Sequence, residues 1–333
     1  RFSAESLAFS IPPSAASLDH LGMRPGNAAW SAAVPRDRGA SWDFEDIRDH
    51  YLSALTHLSA ADLRRADPER WAELGNAAVC DAVGTAARLL RRAGTECTGV
   101  LAYLAHDPVP GPGWGYVDAL GQPKAPWFEL RRAWCPRAVL LCDLGLDGVE
   151  VTVYNDRPDP AAGPLTVRLV AADGQVIAEG TVEVEVGARS SVALDAEDVL
   201  DGFRDASCAY GFGAAPHIAV DAEWQAQGIA IRDVLHVGDA RLGESGGRLG
   251  RTDGSLAVAA GGTELVVSSS HVARRVHTDI PGWVPDDDWF DLVPDRPRTV
   301  RLRPAPWNPH ARPARGVVRS AEGWSTSVEV ALP

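Results

Sequence analysis

Two places in the sequence put reactive side chains where a strand gives way to a loop. The first is Glu5, a carboxylate near the end of the strand candidate Arg1 to Ala8, which Ile11-Pro12-Pro13-Ser14 then breaks. The second is the stretch Leu101 to Trp127. There, apolar residues Val100 to Leu104 run into a His106-Asp107 pair, then into a loop rich in Pro and Gly with Trp114 at its centre. A turn at Gly121 and Pro123 leads to an apolar-periodic helix. Strand, polar pair, aromatic loop and helix is the layout of a βα unit whose loop carries a site. Carboxylates and histidine are the groups proton transfer uses, and His106 reads either as a base or as a satisfied structural histidine. Tyr103 and Trp114 offer a flat apolar face with a polar edge.

The elements that must position these groups change character along the chain. Ser41 to Asp46 is a helix start, with Ser41 or Asp43 able to cap and acidic residues in the first turn. A longer helix follows Pro68, with Trp71, Leu74, Ala78, Val79, Ala82, Val83, Ala86 and Leu90 at helical spacing and Arg88, Arg91 and Arg92 near its end. Residues 15 to 40 carry Pro, Gly and Asn punctuation and read as an irregular excursion. A helix from Ala125 to about Trp134 stops at Pro136. From Arg137 the period becomes two, as in Val149, Val151, Val153 and again in Val182, Val184, Val186. Such runs predict β-sandwiches. The glycine-rich run Arg241 to Gly254 separates two strand series. The reading is therefore α/β followed by all-β, with boundaries near 136 and 242.

Composition narrows the function classes. The chain has 333 residues, a net charge of −13 and a pI near 5.1, which disfavours a nucleic-acid groove. Lys124 is the only lysine. Five cysteines, Cys80, Cys97, Cys135, Cys142 and Cys208, form no CxxC, so free thiols in a reducing cytosol are the expectation. No apolar run reaches the ~20 residues of a membrane span. The first residues already read as a buried strand and no signal peptide is visible, so the expectation is the downstream part of a longer polypeptide.

Other motifs are weaker. Arg274-Arg275 with His271 and His277 resembles a metal or phosphate cluster but falls on a strand pattern that predicts a solvated sandwich face. Asp286-Asp287-Asp288 lacks the spacing of a calcium loop and reads as a turn before Trp289-Phe290. The run Gly243 to Gly254 lacks the lysine and helix of a phosphate loop.

Three passages carry a resemblance. GWGYVDALGQPKAPWFELRRAWCP (Gly113 to Pro136) resembles the WSSIDYxGRPKALHYxxKRxxxP segment of family 2 glycoside hydrolases, β-mannosidase branch. VEVTVYND (Val149 to Asp156) is similar to the first strand of the sandwich that follows their barrel. DDWFDLVPDRPRTVRL (Asp287 to Leu302) resembles the DNxFDLLPGExxTV passage of their last, immunoglobulin-like domain. The resemblance implies the C-terminal part of a (β/α)8 barrel over residues 1–136, then two immunoglobulin-like β-sandwich domains over 137–242 and 243–333.

It also implies roles. Arg1-Phe2-Ser3-Ala4-Glu5-Ser6 falls where the family has RFxSEFG, which puts Glu5 at the catalytic nucleophile, although Ser6-Leu7 departs from the pattern. Ala102-Tyr103-Leu104-Ala105-His106-Asp107 stands where the family has YWQLND. Tyr103 thus replaces a sugar-stacking tryptophan, His106 replaces an asparagine, and Asp107 is retained. Tyr103, His106, Asp107 and Trp114 become the substrate-binding candidates, with Asp107 alternatively orienting backbone. The implied activity is retaining exo-hydrolysis of terminal β-linked sugars, β-mannosides first, without cofactor or metal. Retaining hydrolysis needs two carboxyl groups about 5–5.5 Å apart. The family's acid sits in an Asn-Glu dipeptide, and this chain has none. At most two strand–helix units precede residue 136, so the remaining N-terminal portion of the enzyme is the expected partner. A catalytically silent carbohydrate-binding or scaffolding relative is the alternative, and Glu5→Gln separates the two.

Overall fold

The structure, a computed structural model, describes residues 1–92, 94–200, 202–211, 213, 215–238, 254–308, 310 and 313–330. Of the glycine-rich run between the two strand series, all but Gly254 lies outside the described residues. Strand β1 (Phe2–Ser6) runs parallel to β2 (Gly99–Ala102), pairing Phe2 with Gly99, Ser3 with Val100 and Ser6 with Ala102. The register shifts between Ser3 and Ser6, so a bulge precedes the strand end.

The crossover between them is helical: α1 (Ala15–His20), α2 (Ala28–Ala33), α3 (Phe44–Thr56), α4 (Ala60–Ala66) and α5 (Pro68–Arg91). The stretch read as irregular thus holds two short helices. Each starts on a side-chain cap: Ser14 accepts from Ser17 N, and Asn27 from Trp30 N. Six residues are too few to show a period, so only the caps betray them. α3 begins on a capping box, Asp43 bonding the N3 backbone and Asp46 bonding back. α5 begins on Asp67 with Pro68 in its first turn. One stripe of α5 (Trp71, Leu74, Ala78) packs with Trp30, Leu52 and Phe128 in the helical core. Another (Val79, Val83, Ala87) faces Leu130, Leu140 and Tyr154.

After α6 (Ala125–Ala133) come β3 (Arg137–Asp143), β4 (Val149–Asn155), β5 (Ala161–Val170), β6 (Val176–Val186), β7 (Ser190–Asp195), a short α7 (Ala196–Val199), β8 (Ala219–Ala226) and β9 (Ile229–His236). They form facing sheets ordered β3-β4-β7 and β6-β5-β8-β9 around a core of Val151, Leu165, Val167, Val220 and Trp224. All seven residues of β4 are buried. Its valines fill the sandwich, while Tyr154 on the other face packs against α5 and α6.

The second strand series gives β10 (Leu256–Gly261), β11 (Glu264–Ser269), β12 (Ala273–Asp279), β13 (Trp283–Pro285), β14 (Phe290–Leu292), β15 (Arg298–Pro304), β16 (Ala314–Arg319) and β17 (Ser325–Val330). Its sheets are β10-β11-β15-β13 and β14-β12-β16-β17. Trp289 and Ala321 from this sandwich join the helical core. No helix among the described residues is long and apolar enough to cross a membrane.

Candidate functional site

Glu5 and Tyr103 lie at the C-terminal ends of the two parallel strands. The Tyr103 amide donates to Ser6 O at 2.8 Å, continuing the pairing one residue past β2. Glu5 is exposed and sits in the left-handed backbone region, φ 55°, as does Leu7 at φ 61°. That region is uncommon for residues with a side chain and persists only where neighbours enforce it. The neighbours here are specific. Tyr116 Oη donates to Leu7 O at 2.9 Å, Ser10 Oγ to Pro112 O at 2.9 Å, and Ile11 N to Gly113 O at 3.0 Å. The loops after the two strands are therefore stitched together.

The second loop folds back on itself. Leu104 N donates to Trp114 O, Tyr116 N to Leu104 O and Asp107 N to Val117 O, at 3.2, 2.8 and 2.9 Å. Asp107 is the peg of this arrangement. It is 2% exposed, accepts from Gly115 N at 2.6 Å, and pairs with the ammonium of Lys124, itself 1% exposed. Lys124 Nζ also donates to Ile11 O at 2.8 Å, so one cation ties both loops. Burial pushes the Asp107 carboxyl up and the Lys124 ammonium down, each opposed by the partner's charge. A Cβ at Gly113 would collide with the Asp107 carboxylate, and one at Gly115 with the Asp107 amide, which explains glycine at both positions.

Asp107 therefore does not present itself to a ligand. The expectation of a sugar contact there gives way to its alternative, a residue that orients backbone, because its oxygens are spent on Lys124 and Gly115. His106 is exposed, and its backbone forms an isolated parallel bridge with Val117. Trp114 is half-buried beside Tyr103, ring centroids 5.3 Å apart and edge-on, with its indole Nε1 buried and unpartnered. The structure thus sets Tyr103 and Trp114 edge to edge, puts Glu5 at the end of the neighbouring strand, and buries Asp107 against Lys124.

Two aromatic residues extend this wall without having been read as site candidates. Phe44 packs edge-on against Trp114 at 5.1 Å, and Trp42 against Phe44 at 5.6 Å. Their signal was two aromatics flanking Asp43, the residue that caps α3.

A second cluster corrects the reading of Arg274, Arg275 and His277 as a solvated face: they are 8, 6 and 6% exposed. The helical layer covers them. Glu129 of α6 meets Arg132 at 2.7 Å, Arg88 of α5 at 2.9 Å and Arg275 of β12 at 3.1 Å. Arg88 reaches on to Asp233 of β9 at 2.7 Å, and Arg132 to Asp287 at 2.6 Å. Burial pushes the Glu129 carboxyl up, but Arg275, Arg88 and Arg132 outweigh it and hold it at about 2. One carboxylate thus joins the helices to both sandwiches.

Residues 147–233 match the family model of a mannosidase Ig/CBM-like domain, and residues 252–322 match that of an Ig-fold domain. The chain resembles the C-terminal portion of the family 2 glycoside hydrolases. The resemblance first seen in three short passages is thereby borne out. No curated protein matches the chain. Among solved structures, it is similar to a β-D-mannosidase from Dictyoglomus thermophilum, with a TM-score of 0.69 and 15% identity over 92% of this chain and 35% of that one. It is also similar to the exo-chitosanase CsxA of Amycolatopsis orientalis, TM-score 0.64 and 14% identity over 98% of this chain and 42% of that one. These likenesses establish the shared fold. The chain spans 35% and 42% of the length of those two proteins.

Proposed function

We propose that residues 1–136 are the end of a (β/α)8 catalytic barrel, that 137–242 and 243–333 are the sandwiches that follow it, and that the assembled protein is a retaining exo-glycosidase. The observation that carries this reading is Glu5, exposed and held in a left-handed turn at the end of a strand whose parallel neighbour runs on into Tyr103, with the Trp114 ring edge-on to that tyrosine. A carboxylate next to aromatic faces is the equipment for attack on an anomeric carbon while the sugar ring lies against the wall. Glu5 is the nucleophile in this scheme. Tyr103 and Trp114 line the first sugar position, with Phe44 and Trp42 continuing outward, and exposed His106 lies at its rim.

The proton donor must be a second carboxyl. Asp107 is unsuited, since its oxygens are bound to Lys124 and Gly115. We assign the acid to the remaining barrel, an N-terminal portion of the same enzyme. Two features support such a partner. Among the described residues β1 and β2 form a two-stranded sheet, and Phe2 and Leu101 on them are 60% and 57% exposed. Bare parallel edges with apolar side chains call for further strands. Terminal β-mannosides are the first substrate choice, from the mannosidase-type domain model, and β-glucosaminides the second, from the chitosanase likeness. Five free thiols support a cytoplasmic setting.

The test has two steps. Native and denaturing mass measurements on the purified material should show this chain with a barrel-sized partner or within a longer chain. That assembly should hydrolyse p-nitrophenyl β-D-mannoside or β-D-glucosaminide. Glu5→Gln should lower kcat by at least about a thousandfold while saccharide binding persists. Unchanged turnover in that variant removes Glu5 from the mechanism.

A further inference from the structure

A cavity of about 350 Å³ lies where α1, the first turns of α5 and the turn before α6 face β12 and β13 of the last sandwich. That volume is within the ~300–1,000 Å³ of small-molecule sites. None of Glu5, Tyr103, His106 or Trp114 lines it.

Its wall holds two buried amides with unspent hydrogen-bonding capacity. Asn76, 5% exposed, donates its Nδ2 to Pro12 O at 3.3 Å, but its Oδ1 has no partner. Gln122, 6% exposed, has no partner for its Nε2. One is an acceptor and the other a donor. Buried polar atoms are almost always satisfied, so a pair left open on one cavity points to something that satisfies them. Trp283, 7% exposed, adds an indole to the same wall. Trp289 adds another, stacked flat on His277 at 4.0 Å and held in the left-handed region at φ 53°. Six carboxyl side chains against four arginine and lysine side chains line the cavity, which disfavours anions.

We propose that this cavity is a second binding site, for one neutral sugar unit. Asn76 Oδ1 accepts from a ring hydroxyl and Gln122 Nε2 donates to another, while the pyranose C–H face lies on Trp283. Planar amides and indoles together match a molecule that is polar at its rim and apolar on its faces.

Tryptophan fluorescence of the full chain, titrated with methyl β-D-glucopyranoside, tests the site. A saturable change is expected in the wild type and in Tyr103→Ala. Asn76→Leu should weaken the affinity at least about tenfold, the loss of one buried polar contact. Ala16→Trp, which fills the cavity from α1 and leaves every buried hydrogen bond intact, should do the same and covers the case in which Asn76→Leu does not fold. Absence of a saturable change in the wild type overturns the proposal. So does binding that follows Tyr103→Ala and ignores both cavity variants, since that places the sugar at the strand ends.

Discussion

The Glu129 junction and the β1–β2 strand pair treat a carboxylate in opposite ways. At the junction, three guanidiniums from α5, α6 and β12 close on one carboxylate, and the carboxylate and Arg275 are buried while Arg88 and Arg132 are part-buried. At the strand pair, no described strand covers either edge, Phe2 and Leu101 are exposed, and so is the carboxylate Glu5. Charge is used at the first to fasten three regions and left in solvent at the second, where the proposed reaction would use it. A buried, oversubscribed carboxylate makes a poor nucleophile, and an exposed one at a loop makes a poor fastener. The two glutamates are the same residue type in opposite environments, one paired and buried and the other exposed.

The sharpest way to break this comparison is Glu129→Gln. Removing the negative charge takes from Arg88, Arg132 and Arg275 the carboxylate they share, with Asp233 and Asp287 left to the first two, and about 3–5 kcal/mol of stability should be lost in urea unfolding. A cost under about 1 kcal/mol would mean that the remaining carboxylates suffice. The same variant carries a pH signature. The folded carboxyl sits at about 2 against an ordinary 4.5, so its stabilisation is full above pH 4.5 and disappears as pH falls toward 2. Wild type and Glu129→Gln should therefore converge in stability over that interval, and parallel curves would contradict the assignment.

Smaller effects sharpen the other side. Gly115→Ala drives a methyl group into the Asp107 backbone and should cost about 1–3 kcal/mol, with a larger proportional loss in saccharide affinity because the Trp114 loop shifts. Thermal melting alongside a binding titration reads both. Least of all, Phe2→Ser with Leu101→Ser should change the unfolding free energy of this chain by no more than about 0.5 kcal/mol. It should nevertheless weaken association with the proposed barrel portion in a pull-down. If stability falls instead, those side chains already have partners within the chain.

How much of this was legible in the sequence follows from how far each cause lies along the chain. The α3 cap, the long α5 and the sandwich strands are written in local pattern, and they appeared where the pattern placed them. α1 and α2 were not, because six residues hold no period. The burial of Arg275 was illegible because its cover, Glu129, is 146 positions away. Phe44 was overlooked for a similar reason, since it meets Trp114 only across the helical crossover. Tyr103 and Trp114 came out side by side, as a strand and its own loop allow. Asp107 needed the structure, because only the buried Lys124 reveals which of its two readings holds.

That lysine has a practical side. It is the only one in the sequence, and it is sealed beneath the site loops. Within residues 1–333 the folded surface therefore offers amine-directed reagents no lysine side chain. Acylation at Lys124 can occur only when the loops after β1 and β2 part. Peptide mapping of that single residue would time the opening of the site directly, as a clock wired into the place one most wants to watch.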